Sequence, residues 1–206
     1  MSAPAAVLLL HGRSQAVQTW ARKGLLPVWV VPGLTWSLVV PAAAPRSVAP
    51  YDDPVAILGG RPVPSRLRPS LCLSADGQRA VVVVHAAGRP AVQRWLVWTS
   101  GVGVSRVQGL PHAPVGLLAE LTGGRGRALR GRLDDALSPD DRTGADVVDD
   151  LLRALELPGA GVPIGAIEVE HLPDAVRIEP DQRVVERFDS LVADESRLQA
   201  ELEDRR

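Results

Sequence analysis

The residues best suited to covalent chemistry lie near the start of the chain, in the segment VLLLHGRSQA at 7–16. An apolar run ends at His11 and Gly12, and Ser14 follows two residues after the glycine. A serine on a tight turn between a strand and a helix can act as a nucleophile when a neighbouring histidine accepts its proton. Ser14 and His11 are therefore the candidate catalytic residues.

Two features favour a structural role for Ser14. The Gly-x-Ser-x-Gly elbow of α/β-hydrolases has a second glycine where this chain has Ala16. That elbow also follows earlier strands, whereas residues 7–10 form the first predicted element and the later strands are predicted to be joined by hairpins. We expect Gly12 to make the turn and Ser14 to cap the following helix. A small serine hydrolase is an alternative.

The motifs that hold metals and cofactors are incomplete. The four histidines are scattered and show no metal-binding spacing, and a single cysteine, Cys72, excludes both an intrachain disulfide and a cysteine-built zinc site. The aspartates between 134 and 150 are dense but lack the glycine and terminal glutamate of a calcium loop. We expect no metal and no cofactor.

A glycine- and arginine-rich segment, GGRGRALRGR, occupies residues 123–132. It lacks the Lys-Ser/Thr ending and the preceding strand of a phosphate-binding P-loop. Its arginines are candidate residues for binding a polyanion, nucleic acid included: Arg125, Arg127, Arg130 and Arg132.

Charge is divided between the two parts of the chain. Residues 1–132 contain 15 basic and 4 acidic residues, whereas residues 133–206 contain 8 basic and 20 acidic residues, although the whole chain has a formal net charge of −1. The two parts should attract each other. The acidic helices could dock on the basic part, or the acidic part could imitate a polyanion and compete for a basic surface that binds nucleic acid or an acidic partner.

The first half of the sequence predicts strands joined mostly by tight turns. A strand at 7–10 and a helix at 14–23 precede a hairpin of strands 28–31 and 35–40, with Pro32-Gly33 in a type II turn. The uncharged stretch 25–45 is long enough to span a bilayer, but its prolines favour the hairpin. A Pro-rich irregular stretch follows to residue 69, and then come the strands SLCLS, RAVVVVHA, RWLVWTS and GVSRV. The five tryptophans are expected in the interior rather than stacked on bases.

The second half predicts mainly helices. APVGLLAELTG is a short helix, and Thr143 with Asp146 forms a capping box for a helix that runs to about residue 157. AIEVEH and AVRIEP predict a small hairpin, and residues 181–206 predict a long terminal helix.

We therefore predict an α+β fold. Residues 1–122 are expected to form a mostly antiparallel sheet domain with one packed helix. Residues 123–145 are expected to be a linker, rich first in Gly and Arg and then in Asp. Residues 146–206 are expected to be an acidic, mainly helical extension with the small hairpin and the terminal helix.

The terminal helix carries the spacing of a coiled-coil seam. Its apolar positions follow at intervals of three, four and seven residues, and Glu195 interrupts them: Val184, Phe188, Leu191, Leu198 and Leu202. Fewer than four heptads with a charge in the seam are too weak to hold a dimer alone. We expect the helix to dock against a protein partner or a second copy of the chain.

These observations favour a non-catalytic protein that takes part in protein–protein interaction or assembly. A nucleic-acid-binding protein that uses the basic part, and a serine hydrolase that uses Ser14, are the alternatives. One Lys against 22 Arg indicates a high-GC bacterial source. The sequence shows no signal-peptide pattern, and we expect a cytoplasmic location without membrane association.

Overall fold

Eight antiparallel strands and six helices make up the computed structural model of the protein over residues 6–88 and 92–203, the part of the chain that it describes. The strands are β1 (Ala6–His11), β2 (Val28–Val31), β3 (Trp36–Pro41), β4 (Ser70–Asp76), β5 (Arg79–His85), β6 (Gln93–Thr99), β7 (Gly103–Ser105) and β8 (Val176–Ile178). The helices are α1 (Ser14–Arg22), α2 (Pro54–Gly60), α3 (Val115–Leu121), α4 (Arg127–Ala136), α5 (Gly144–Ala154) and α6 (Gln182–Glu203). Short 3-10 turns lie at Ser65–Leu67 and Val169–His171.

The strands form one sheet in the order β7-β6-β5-β4-β1-β3-β2-β8. The first strand, β1, lies inside the sheet between β3 and β4, with Leu8 opposite Val39 on one side and Cys72 on the other. Alternate residues of β1 enter cores on opposite faces: Val7 and Leu9 on one face, Leu8 and Leu10 on the other. Burial on both faces explains why the segment is apolar without alternation.

Helix α5 covers the first face of the sheet. Its aliphatic side chains Val147, Val148, Leu151 and Leu152 are almost fully buried, in the same core as the alternate residues of β1, β4 and β5. The predicted capping box is confirmed, because the Thr143 hydroxyl accepts from the Asp146 backbone N–H and the Asp146 carboxylate accepts from the Thr143 N–H. The amphipathic pattern and the cap together define this helix.

Gly144 lets α5 begin in direct contact with the β4–β5 turn. Its N–H donates to the Gly77 carbonyl at 2.9 Å. A Cβ atom at this position would lie 1.9 Å from the carbonyl oxygen of Arg79. Position 144, at the start of the helix, therefore has no room for a side chain.

Helices α1 and α2 cover the opposite face. Val17 and Trp20 of α1 and Leu58 of α2 are buried there, with Leu67 from the 3-10 turn. The Arg61 guanidinium lies 3.8 Å from the centre of the Trp20 ring, and burial lowers the pKa of Arg61 to about 10. The sheet thus has helices on both faces.

The α+β class and the antiparallel pairing are confirmed. Two helices lie where the sequence predicted irregular chain. Residues 54–60 form α2, whose first turn is capped by the Asp53 carboxylate. Residues 127–136 form α4 inside the predicted linker, with Leu129, Leu133 and Ala136 buried against the core. The division of the chain into two domains stays a prediction.

The predicted hairpin at 166–180 was wrong, because its first strand does not form. Residues 169–171 make a 3-10 turn, and β8 instead pairs with β2, with Val28 opposite Ile178. The local alternation indicated a strand but not its distant partner. The predicted type II turn also fails at Gly33, which does not have a positive φ. That glycine is required by contact, since a Cβ there would lie 2.3 Å from the Trp36 carbonyl oxygen.

The uncharged stretch at 25–45 forms β2 and β3, as the prolines indicated. Within the described residues, none of the helices combines the length and the hydrophobicity needed to cross a bilayer. The connection between the predicted strands RAVVVVHA and RWLVWTS lies partly outside the described residues, and the end of the predicted terminal helix, at 204–206, lies wholly outside them.

Replacing Gly144 with Ala should lower the free energy of unfolding by about 2–3 kcal/mol, because the new methyl group forces α5 away from the β4–β5 turn. Gly131→Ala is the matched control. Gly131 lies in the exposed part of α4 with nothing within 4 Å of a Cβ, so alanine there should stabilise by about 0.5–1 kcal/mol. Urea denaturation measures the free energy of unfolding of each variant. Equal effects would contradict the close approach of α5.

Candidate functional site

Three distant segments meet at an open cleft beside α4: the β2–β3 turn, the loop between α3 and α4, and the end of α5. A cavity of about 790 Å³ lies between them, and a neighbouring cavity of about 450 Å³ lies between α3 and α4. Gly124 and Arg125 line both cavities. We call the two together the arginine cleft.

The loop before α4 gives the cleft its shape. Gly123 and Gly126 have φ values of 76° and 108°, a region that favours glycine. The Gly124 N–H donates to the Ala119 carbonyl at 3.0 Å, which folds the loop back on α3. No side chain caps the start of α4, so the arginines at and just before this helix start face a partially positive helix end.

Three of the four predicted arginines line the cleft without a partner. Arg125, Arg127 and Arg130 are exposed, and their side chains form no hydrogen bond or ion pair with other described residues. Such guanidinium groups can bind carboxylates or phosphates. Two carboxylates also line the cleft, those of Glu120 and Glu156.

Arg132 has a structural role that the sequence did not indicate. Its Nε and Nη2 donate to the Ala154 carbonyl at 3.3 and 3.1 Å, and Nη2 lies 3.2 Å from the Glu156 carboxylate. The side chain therefore caps the C-terminal end of α5, where a positive charge is favourable.

The larger cavity also has apolar walls. Leu34 in the β2–β3 turn is fully exposed, whereas Trp36 at the start of β3 and Leu155 and Leu157 after α5 line the same cavity but are at most 7% exposed. A cleft that combines apolar walls with unpaired arginines suits a ligand that is apolar along one face and acidic at its edges.

Ser14 and His11 do not form a nucleophile and base. Ser14 is the first residue of α1, and its hydroxyl lies 3.3 Å from Gln18 Nε2, while His11 packs edge-on against Trp36 at 5.9 Å between ring centres. Both neighbours of β1 run antiparallel to it, unlike the elbow strand of a hydrolase. The predicted cap was also wrong, because Arg13 is the N-cap residue and makes no side-chain cap. The geometry gives the hydrolase alternative no support.

A buried polar row crosses three strands, and sequence reasoning missed it. Ser70 Oγ lies 3.1 Å from His85 Nδ1, and His85 Nε2 lies 2.9 Å from Gln93 Nε2. Burial, with a smaller contribution from nearby Arg68, lowers the pKa of His85 below its usual value. Ser70 is fully buried, so the row joins β4, β5 and β6 rather than reaching a substrate.

Several aspartates of the stretch at 134–150 make separate structural contacts. Asp149 is buried in α5 and accepts hydrogen bonds from the Gly161 N–H and from Arg153. Arg142 pairs with Asp140 and Asp150, and this contact keeps the pKa of Asp140 below its usual range. These side chains fix α5 and the loops on either side of it.

One exposed group has metal-ligand chemistry that the sequence analysis did not single out. Glu168, Glu170 and His171 have donor atoms within 4.8 Å of one another. The His171 ring already lies 3.2 Å from the Glu168 carboxylate, and all three side chains are exposed. A contact between exposed polar side chains accounts for this arrangement.

Helix α6 contacts the body near its start and exposes three later apolar side chains. The Asp181 N–H just before it donates to the Arg22 carbonyl at 2.8 Å, and the Phe188 ring packs edge-on against Tyr51 at 5.1 Å between centres. Val184 is also half-buried. The later seam positions Leu191, Leu198 and Leu202 are 60%, 61% and 62% exposed. We call these three residues the leucine stripe.

The divided charges are joined by few contacts inside the molecule. Among the described residues, two ion pairs connect the basic part at 1–132 with the acidic part at 133–206: Arg46–Glu179 and Arg132–Glu156, both at 3.2 Å. The acidic part docks mainly through the apolar side of α5. Cutting the chain at residue 132 would divide α4 and remove α5, so the binding properties of the basic part must be tested in the full chain.

No family model matches this sequence, and comparisons with curated proteins and with solved structures found no match either.

The stability of the protein should fall in mildly acid solution because of His85. Its folded-state pKa lies below the unfolded value of about 6.5, so the unfolded chain binds the proton first and stability is lost as pH falls below that value. His85→Gln should flatten the fall of the melting temperature between pH 7.5 and 5. The control His11→Gln removes an exposed histidine. If His85→Gln and the wild type show the same slope, the buried neutral histidine is not the cause.

Proposed function

We propose that the protein is a non-catalytic component of a protein assembly and that it binds through α6. The observation that carries the proposal is the exposure of the leucine stripe on a helix whose first half is fixed to the body. The same proposal includes a cytoplasmic location, a high-GC bacterial source and a separate acidic extension.

The stripe has the geometry of a helix that binds in a groove. Leu191 and Leu198 are seven residues apart, and Leu202 follows four residues later, so the three side chains share one face. Each leucine that becomes buried contributes about 1.5–3 kcal/mol relative to exposure. An exposed apolar face on a charged helix, interrupted here by Glu195 alone, is typical of an interaction surface.

The body presents this face in a defined direction. Phe188 and Val184 continue the seam toward the body, where they are half-buried, and Phe188 contacts Tyr51. A fixed first half reduces the freedom that the helix loses on binding.

Polyanion binding at the arginine cleft is a second candidate function. The observation that favours it is that Arg125, Arg127 and Arg130 are exposed on one surface with no ion pair among the described residues. Nucleic acid is the natural polyanion for such a site. The tryptophans give no support to base stacking, because Trp20, Trp36 and Trp98 are buried and the other two are half-buried.

Replacing both Leu198 and Leu202 with Asp should abolish assembly and leave the fold intact, because both side chains are exposed in the single chain. Light scattering over a range of concentrations should show a lower mass than for the wild type, and the melting temperature should change little. Val102→Asp is the matched control, since Val102 is 66% exposed in another part of the surface. A variant that still assembles to the wild-type mass would contradict the proposal. Loss of the folded monomer would place α6 in the core.

Replacing Arg125, Arg127 and Arg130 with Ala should weaken the binding of heparin to the full chain. The slope of log affinity against log salt should fall by about two to three, because each arginine that neutralises a charge of the polyanion releases roughly 0.7–0.9 counterions. Replacing Arg13, Arg22 and Arg106, which are exposed elsewhere, changes the net charge equally and is the control. Equal weakening in both variants would mean that net charge, and not the cleft, binds the polyanion.

A further inference from the structure

We infer that the leucine stripe of one molecule docks into the arginine cleft of a second copy, so that copies associate head to tail. This inference rests on the proposed function of α6 as the interaction element. The surface that receives the stripe is the arginine cleft, which has apolar walls and unpaired arginines.

The charge inside the stripe selects the partner. Glu195 lies four residues after Leu191 and three before Leu198, so its carboxylate shares the face of the leucines. Docking this face would bury the carboxylate, which is unfavourable unless a cation meets it. Arg125 lies where the two cavities of the cleft meet, and it has no partner among the described residues.

The flanks of the stripe are complementary to the rest of the cleft. The sequence from 189 to 203 contains five acidic residues and one basic residue, Arg197, which already lies 3.5 Å from Asp194. Arg127 and Arg130 offer the opposite charge along the smaller cavity. Pairing α6 with another α6 would instead bring acidic surfaces together, which costs free energy. Electrostatics therefore favours the cleft over a helix–helix dimer.

The walls of the cleft suit leucine side chains. The larger cavity, about 790 Å³, is lined by Trp36, Leu155 and Leu157, with Leu34 fully exposed in the β2–β3 turn. Trp36, Leu155 and Leu157 are already buried in the single molecule, at most 7% exposed, so docking removes from water chiefly Leu34 of the cleft and the leucine stripe of the other copy.

Stripe and cleft are apart within one molecule. The leucine stripe is about three-fifths exposed, while the N-terminal end of α6 is held at the Arg22 carbonyl and Phe188 is held at Tyr51. The cleft is built from α3, α4, the end of α5 and the β2–β3 turn. A contact between two different surfaces leaves one cleft and one stripe free at the ends, so such an assembly grows into a ring if the rotation between copies closes and into an open filament if it does not.

The test uses two full-length variants that each keep one half of the interface. The cleft variant carries Arg125→Glu, Arg127→Glu and Arg130→Glu, and it leaves Arg132 in place because that residue caps α5. The stripe variant carries Leu198→Asp and Leu202→Asp. Circular dichroism and thermal melting establish that both variants are folded, and light scattering gives the mass of each alone and of an equimolar mixture.

We expect the wild type to assemble with concentration and to dissociate as salt is raised. Each variant alone should be monomeric, with the dissociation constant raised by about 100-fold or more for the stripe variant and about tenfold or more for the cleft variant. The mixture should give a species of twice the monomer mass, because one intact stripe meets one intact cleft.

Other outcomes separate the two proposals. A cleft variant that assembles like the wild type, beside a monomeric stripe variant, would overturn the cleft as the partner and leave α6 as the interaction element. A mixture that stays monomeric would overturn the head-to-tail arrangement. A wild type that is monomeric at all concentrations would overturn the second copy as partner, and a stripe variant with wild-type mass would overturn the role of α6 itself.

Discussion

The contact of α5 with the sheet is the constraint on which the rest of the molecule depends. Its first turn lies against the β4–β5 turn because Gly144 has no side chain, and its aliphatic face closes the core on β4 and β5. Its last turn ends at the cleft, where Arg132 caps the Ala154 carbonyl and Leu155 lines the wall. One helix therefore fixes both the packing of the sheet and the position of the candidate site.

The parts of the fold that the sequence predicted are those governed by local rules. Apolar, β-branched runs joined by tight-turn residues identified the hairpins of the first half, and Thr143 with Asp146 identified the start of α5. The parts that it did not predict depend on distant contacts. Helix α4 was missed because its buried positions, Leu129 and Leu133, are few among arginines and glycine. The pairing of β8 with β2 joins residues about 150 positions apart, and no local pattern encodes it.

The sequence predicted which residue types form the candidate site, but it did not predict where in the fold they lie or which other segments meet them. The arginines at 125–132 were identified from composition, yet only the structure separates Arg132, which caps α5, from the three unpaired arginines. The apolar walls come from Leu34 and Leu155, which are far apart in sequence. The hydrogen-bonded row at His85 was likewise not predicted as a whole, because a histidine at a strand end does not indicate that Ser70 and Gln93 lie beside it.

The ion pairs of the structure do not favour electrostatic docking within one molecule as the explanation of the divided charge. Intramolecular docking was one explanation of the basic and acidic parts, but the acidic part docks mainly through apolar side chains, and two ion pairs among the described residues join the parts. Most of the opposing charge is thus left on the surface, at Arg125 and its neighbours on one side and along α6 on the other. Charges on separate surfaces interact weakly across one molecule, because salt screens them beyond about 8 Å. In the head-to-tail association that we propose, the two surfaces come within this distance, and the same division of charge would direct the encounter between copies and make it sensitive to salt.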